Sequence, residues 1–103
     1  MITKLTNLVS QTPYKIILKD NFIFNGIFLE HESGYNGWRY IDYVKFFILD
    51  NKKYKKMIFN WDEILVEKLS IIPIEYKKEN YWPLYYYYTK NNLDIPKKFY
   101  NIK

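Results

Sequence analysis

The 103-residue chain contains no cysteine and no alanine, and it has one arginine and one histidine. The lack of cysteine excludes disulfides and thiolate metal sites and fits a reducing compartment. No stretch approaches the ~20 consecutive apolar residues of a membrane span, and the N-terminus lacks the apolar region of a signal peptide. The sequence has no long polar low-complexity run of the kind that links two domains, so a second domain is not expected. We therefore expect one cytoplasmic domain that does not associate with a membrane and is stabilised by the packing of its side chains.

The chain is rich in lysine, isoleucine, asparagine and tyrosine, which together make up about half of it. AT-rich codons give this composition irrespective of function, so neither the basic balance nor the aromatic content by itself indicates nucleic-acid binding. The placement of charge is more informative. Residues 1–50 carry five basic and five acidic side chains, and residues 51–103 carry eleven and six. The whole net charge of +5 therefore lies in the second half.

The pattern of the first half predicts a short helix followed by a β-hairpin. Leu5, Leu8 and Val9 have helical spacing, and Pro13 ends that segment. Residues 14–19 then alternate between apolar and polar positions, and residues 20–21 form a pair suited to a two-residue turn. Residues 22–30 are apolar on both faces. Gly26, in their middle, permits a sharp bend or a close approach of backbone.

The remaining residues predict three more strands and an appendage. Residues 33–37 have the Gly and Asn content of a loop, and strands are expected over 39–50, 55–60 and 64–72, with a 3₁₀ turn at 61–63. We expect a small β-barrel over residues 1–74 that folds by itself. Residues 75–103 form an aromatic and basic extension packed on the barrel, with a possible strand over 84–89.

The order of helix, Pro13, alternating strand, Asp20-Asn21, Gly26 and Glu32 resembles the first conserved block of Sm-like proteins, the Hfq group among them. The similarity covers roughly residues 1–70 and implies a mainly β fold, a five-strand, strongly bent barrel. SH3-like barrels share this strand order. Members of the Sm-like family form RNA-binding rings by joining their fourth and fifth strands edge to edge. Here Asn60 and Trp61 replace the basic or Arg-Gly residues of the family's nucleotide pocket.

The sequence offers little for catalysis. His31 lies between Glu30 and Glu32, but neighbouring residues of a strand point to opposite faces and there is no second histidine. Asp62 and Glu63 are adjacent and diverge, and a capping or solvated role fits them better than an acid/base pair. No phosphate-binding loop or other catalytic motif occurs. We expect no enzyme activity, no cofactor and no metal.

Candidate binding residues fall into three groups. Trp38, Arg39 and Tyr40 combine a stacking surface with the only guanidinium, although Trp38 fits a lid over the core equally well. A predicted hairpin tip carries a basic cluster that either contacts phosphates or an acidic surface, or only keeps the hairpin soluble. The tail carries a tyrosine-rich patch, about half of which must be buried. The second and third groups comprise Lys52, Lys53, Tyr54, Lys55 and Lys56, and Tyr81, Trp82, Tyr86 and Tyr88.

These features favour a non-catalytic protein that occupies a surface of a protein or ribonucleoprotein. A small binder of this kind suits a phage-encoded, anti-CRISPR-like inhibitor of a nucleic-acid-guided host defence. The alternative is an Sm-like RNA-binding ring subunit, and RNA remains a candidate partner. The sequence leaves the oligomeric state open.

Overall fold

The structure, a computed structural model, describes the backbone of residues 1–50, 53–90 and 97–100 and the side chains of residues 1–48, 55–83 and 86. The mainly β fold class predicted from the sequence is confirmed. The strands are β1 (Pro13–Leu18), β2 (Ile23–Asn36), β3 (Arg39–Asp50), β4 (Lys53–Asn60), β5 (Ile64–Lys68) and β6 (Lys97–Tyr100). One helix, α1 (Lys78–Lys90), and 3₁₀ turns at Leu5–Asn7, Trp61–Glu63 and Ile74–Tyr76 complete the described elements.

The strands form one sheet in the order β5-β1-β2-β3-β4-β6. The first five strands pair with antiparallel neighbours, and β6 pairs with β4 in parallel. Within the described residues the sheet is open, with β5 at one edge and β6 at the other. Near the β5 edge the Ile2 amide donates to the Val66 carbonyl at 2.8 Å, which adds one bridge to that strand.

The concave face of the sheet holds the main core. Alternate residues of β1 are buried, as the period of two requires, and they meet inward residues from the other four antiparallel strands. The Phe46 ring makes edge contacts with two other phenylalanines of this core. The most deeply buried members are Tyr14, Ile16, Val44, Phe46, Phe59 and Val66.

A second hydrophobic cluster joins the tail to the outer face of the sheet. Ile27 and Phe47 pair across β2 and β3, and Tyr76 and Tyr81 cover them. The Tyr76 hydroxyl donates to the Asn25 carbonyl, which ties the tail to β2. Residues 84–89 are helical, so the strand expected there is wrong. Aromatic β-propensity favoured a strand, but packing of the tail against the sheet overrides that weak preference.

The turns differ from the sequence expectations in three places. The predicted N-terminal helix is a single 3₁₀ turn, Leu5–Asn7. Residues 19–22 connect β1 to β2, and the Leu18 amide donates to the Phe22 carbonyl at 2.9 Å, so the loop inside this closing pair has three residues, 19–21. Asn21 adopts a left-handed φ of 62° that suits the last position of such a loop. The loop expected over 33–37 belongs instead to a long hairpin, because β2 continues to Asn36 and β3 begins at Arg39.

Candidate interaction surface at the tip of the β2–β3 hairpin

The outer part of the β2–β3 hairpin is a regular two-stranded arm. A bulge between Phe28 and Glu30 shifts the register, and the ladder then continues without interruption to the pair Asn36 and Arg39. Gly37 opens the two-residue turn with a φ of +69°, which a type II′ turn requires and glycine tolerates best. The ladder and the tight turn hold the end of the arm in a defined geometry.

The end of the arm carries a cluster of exposed aromatic side chains, here called the aromatic tip and defined as Tyr35, Trp38, Arg39 and Tyr40. Trp38 is 96% exposed, so a role as a lid over the core is excluded. Tyr35 and Tyr40 are 75% and 59% exposed, and their rings meet edge to face across the strands at 5.2 Å. This cross-strand pair stiffens the platform beside Trp38.

The polar side chains between the tip and the core form ion pairs and hydrogen bonds with one another. The Lys45 ammonium lies 2.6 Å from a Glu32 carboxylate oxygen and 3.1 Å from one of Glu30, with only 14% of the lysine side chain exposed. The hydrogen bond that the Lys45 ammonium donates to Glu32 raises the pKa of Lys45 above its ordinary value of 10.5; burial opposes this shift and Glu30 adds to it. On the other face the Ser33 hydroxyl donates to the Asp42 carboxylate.

Arg39 differs from the other charged residues of the arm because it takes part in none of these ion pairs. Among the ion pairs of the described residues none involves Arg39, whereas the carboxylates of the arm have partners within the arm. A guanidinium that is next in sequence to an exposed indole places a planar donor group and a large apolar surface at the same end of the arm. Trp, Tyr and Arg are the residue types most enriched at binding hot spots.

The arm also carries residues that the sequence offered for chemistry. His31 is exposed on the arm, and the described residues hold no group of three or more His, Asp or Glu side chains placed to bind a metal. Ser33 uses its hydroxyl to donate to a carboxylate on an open strand face.

The predicted tail residues are separated by the structure. Tyr81 is 2% exposed, and its hydroxyl donates to Gln11 groups at 3.2 and 3.3 Å. It is therefore a core residue here and not the partner contact that the sequence suggested, because the α1 packing needs a large apolar side chain at this point. Trp82 is half-buried, with the Lys78 ammonium 5.1 Å from its ring centroid, and Tyr86 is 52% exposed.

The basic cluster is described only in part. Lys55 and Lys56 lie on β4 and are half-buried. Lys52 and the side chains of Lys53, Tyr54 and Tyr88 lie outside the described residues. The basic cluster on the hairpin tip therefore stays a prediction.

The sequence selects three residues of the tip, Trp38, Arg39 and Tyr40, and misses Tyr35. Tyr35 and Tyr40 were assigned to a loop and to the start of a strand, so their cross-strand contact was not foreseen. Gly37 followed by Trp38 fits the Gly-X pattern of a type II′ hairpin turn and is the signal in the sequence that marks the arm.

Comparison with protein-family models, with curated proteins and with solved structures finds no match to this chain. The functional argument therefore rests on geometry. Within the described residues no helix combines the length and apolar character needed to cross a membrane.

Proposed function

We propose that this protein is a non-catalytic binding protein that occupies a surface of a protein or ribonucleoprotein partner, with the aromatic tip as its principal contact. The observation that carries the proposal is Trp38. An indole that is 96% exposed at the end of a regular hairpin adds nothing to the core. It offers a large contact area in a geometry that the ladder has already fixed.

The charge on the arm favours a protein surface as the point of contact. Between residues 30 and 45 the arm has three carboxylates against one lysine and one arginine. Nucleic-acid affinity depends on several cations meeting phosphates, and this arm presents one unmatched guanidinium. If the partner is a ribonucleoprotein, the tip contacts its protein component.

The edge of β4 supports this proposal over an Sm-like RNA-binding ring. Four residues of β4, Lys56 to Phe59, pair with β6. Rings of the Sm-like type use the fourth strand to join the next subunit, and β6 already pairs with that strand here. As a narrower proposal, such a binder acts as an anti-CRISPR-like inhibitor, in which the tip occupies a protein surface of a nucleic-acid-guided host defence complex.

The test is a tagged full-length chain captured from the source cell with and without nuclease, followed by affinity measurement with the recovered partner. Trp38→Ala should weaken binding by about 2 kcal/mol or more, roughly 30-fold, as expected for a central hot spot. Its thermal midpoint should match that of the wild type. Ile71→Ala is the matched control, because Ile71 is an 83% exposed apolar residue outside the tip.

Two results would overturn the proposal. One is a partner whose affinity is the same for Trp38→Ala and for Ile71→Ala. The other is binding to naked RNA that equals binding to the captured complex, which would favour the ring subunit.

A further inference from the structure

A second exposed apolar feature lies at the other end of β2. The end of β1 and the start of β5 form the walls of an open groove of about 240 Å³. Its walls are Ile17, Leu18, Ile64 and Leu65. Leu65 is 48% exposed and pairs with the partly exposed Ile17 across the two strands, whereas Leu18 and Ile64 are buried. Ile17 and Leu65 are therefore the apolar floor that the groove presents to solvent.

The charges on the rim of this groove are mainly acidic. Asp62 and Glu63, from the 3₁₀ turn, and Lys19, from the β1–β2 turn, line its edge. The Asp62 amide is held by the side chain of Asn60 at 3.0 Å, which fixes the turn and leaves the Asp62 carboxylate on the exposed side. The groove thus combines an apolar floor with two carboxylates against one ammonium.

We infer that the aromatic tip of one copy of this chain docks in the groove of a second copy. Trp38 matches the apolar floor, and Arg39, its neighbour in sequence, carries the charge that the acidic rim attracts. A chain cannot satisfy its own groove, because Lys19 lies near the start of the 14-residue β2 and the tip lies at its end. This inference concerns the purified protein and does not depend on the proposed function.

The area available favours a reciprocal dimer in which each tip enters the groove of the other copy. The three tip aromatics, at roughly 150–250 Å² each when fully exposed, contribute about 400–500 Å². The groove and the exposed Phe22 and Ile23 beside it contribute a comparable area. One contact of about 800–1,000 Å² therefore does not exceed the lower limit of about 1,000 Å² for a specific interface, and two together, at about 1,600–2,000 Å², reach the standard size.

The dimer also bears on partner recognition. A tip that is docked in a second copy is covered, so a partner that uses the same tip must compete with self-association. We therefore expect partner and second copy to be mutually exclusive at Trp38.

The experiment is sedimentation velocity of the purified full chain over a wide concentration range. The wild type should pass from monomer to dimer and no further. Trp38→Ala, Arg39→Asp and Asp62→Arg should each weaken the dimer at least tenfold, and the double variant Arg39→Asp/Asp62→Arg should recover most of the loss. Glu79→Lys, which alters an exposed carboxylate on α1, should leave the dimer unchanged.

A chemical block gives an independent measurement. Because the chain has no cysteine, Leu65→Cys accepts a bulky maleimide at one position only, and the labelled protein should be monomeric. Ile71→Cys with the same label should still dimerise. A wild type that stays monomeric, that grows beyond a dimer, or whose dimer survives both Trp38→Ala and the Leu65 label would overturn the inference.

Discussion

Substitution of Gly26 tests the packing of the main core at its tightest backbone approach. A Cβ atom added there would lie 3.0 Å from Ile16 Cδ1 and from Ile48 Cγ1, and 3.2 Å from Phe46 Cβ. Overpacking of this kind costs about 1–3 kcal/mol, and the reduced freedom of the unfolded chain returns about 0.4–1 kcal/mol. We therefore expect Gly26→Ala to lose about 1–2 kcal/mol. Gly26→Val, which is bulkier, should lose about 3 kcal/mol.

Urea denaturation followed by circular dichroism measures this loss, and the thermal midpoint should fall by about 4–8 °C for each kcal/mol. Gly34→Ala is the matched control, because a Cβ there meets no heavy atom within 4 Å. Its stability should change by less than about 0.5 kcal/mol. Adding Ile16→Val to Gly26→Ala removes the atom in closest contact and should cost less than the sum of the two single changes. A Gly26→Ala protein as stable as Gly34→Ala would refute the close approach.

Two further perturbations probe the tail and the arm. Ending the chain after Ile74 removes Tyr76 and Tyr81, and the loss of each buried ring should lower the free energy of unfolding by about 3–5 kcal/mol, so cooperative thermal unfolding should be lost. A chain that ends after Lys90 should still unfold cooperatively. A sharp melt of the shorter chain would restore the independent barrel expected from the sequence. The raised pKa of Lys45 means that its ion pairs stabilise the fold at neutral pH and lose this effect as pH rises through that pKa. Lys45→Met should therefore be less stable than the wild type at neutral pH, and this difference should shrink as the pH rises above 10.5 and through the raised pKa. A stability difference unchanged by pH would contradict the ion-pair origin.

The parts of the fold that follow from local pattern were predictable from the sequence. The apolar residues Tyr14, Ile16 and Leu18 at every second position mark β1. The break in the pattern at residues 61–63 marks the 3₁₀ turn before β5. Gly26 was expected to allow either a bend or a close approach of backbone. The structure shows the close approach there, and it places the register shift three residues later, beside Leu29.

The tail could not be predicted in the same way. Residues 81–88 are apolar or aromatic at nearly every position, so neither the strand period nor the helix period stands out. What decides the outcome is the pair Ile27 and Phe47 on the outer face of the sheet, about fifty and thirty residues earlier in the chain, which Tyr81 covers. A contact at that sequence separation leaves no mark in a local window.

For a related reason, the sequence predicts which residue types belong to the candidate site but not their exposure. Residue type alone selected Trp38 and Arg39, because indole and guanidinium groups recur in interfaces. Their exposure depends on how far β2 and β3 continue as a pair beyond the core, and that is set by the register after the bulge. With a loop at 33–37, as expected from its Gly and Asn content, Trp38 could equally have folded back onto the core.

Partner binding and dimerisation, the two roles inferred for the aromatic tip, depend in opposite ways on the concentration of the protein, and this difference allows them to be measured separately. If a second copy covers Trp38, the competent monomer is a fraction of the total protein, and the apparent affinity for a partner is reduced by that fraction. Partner titrations with the wild type should then weaken as the protein concentration rises through its own dimerisation range. The groove variant Asp62→Arg, which leaves the tip intact, should bind the partner with an affinity that no longer depends on protein concentration. Trp38→Ala should lose both activities, because both use the same indole.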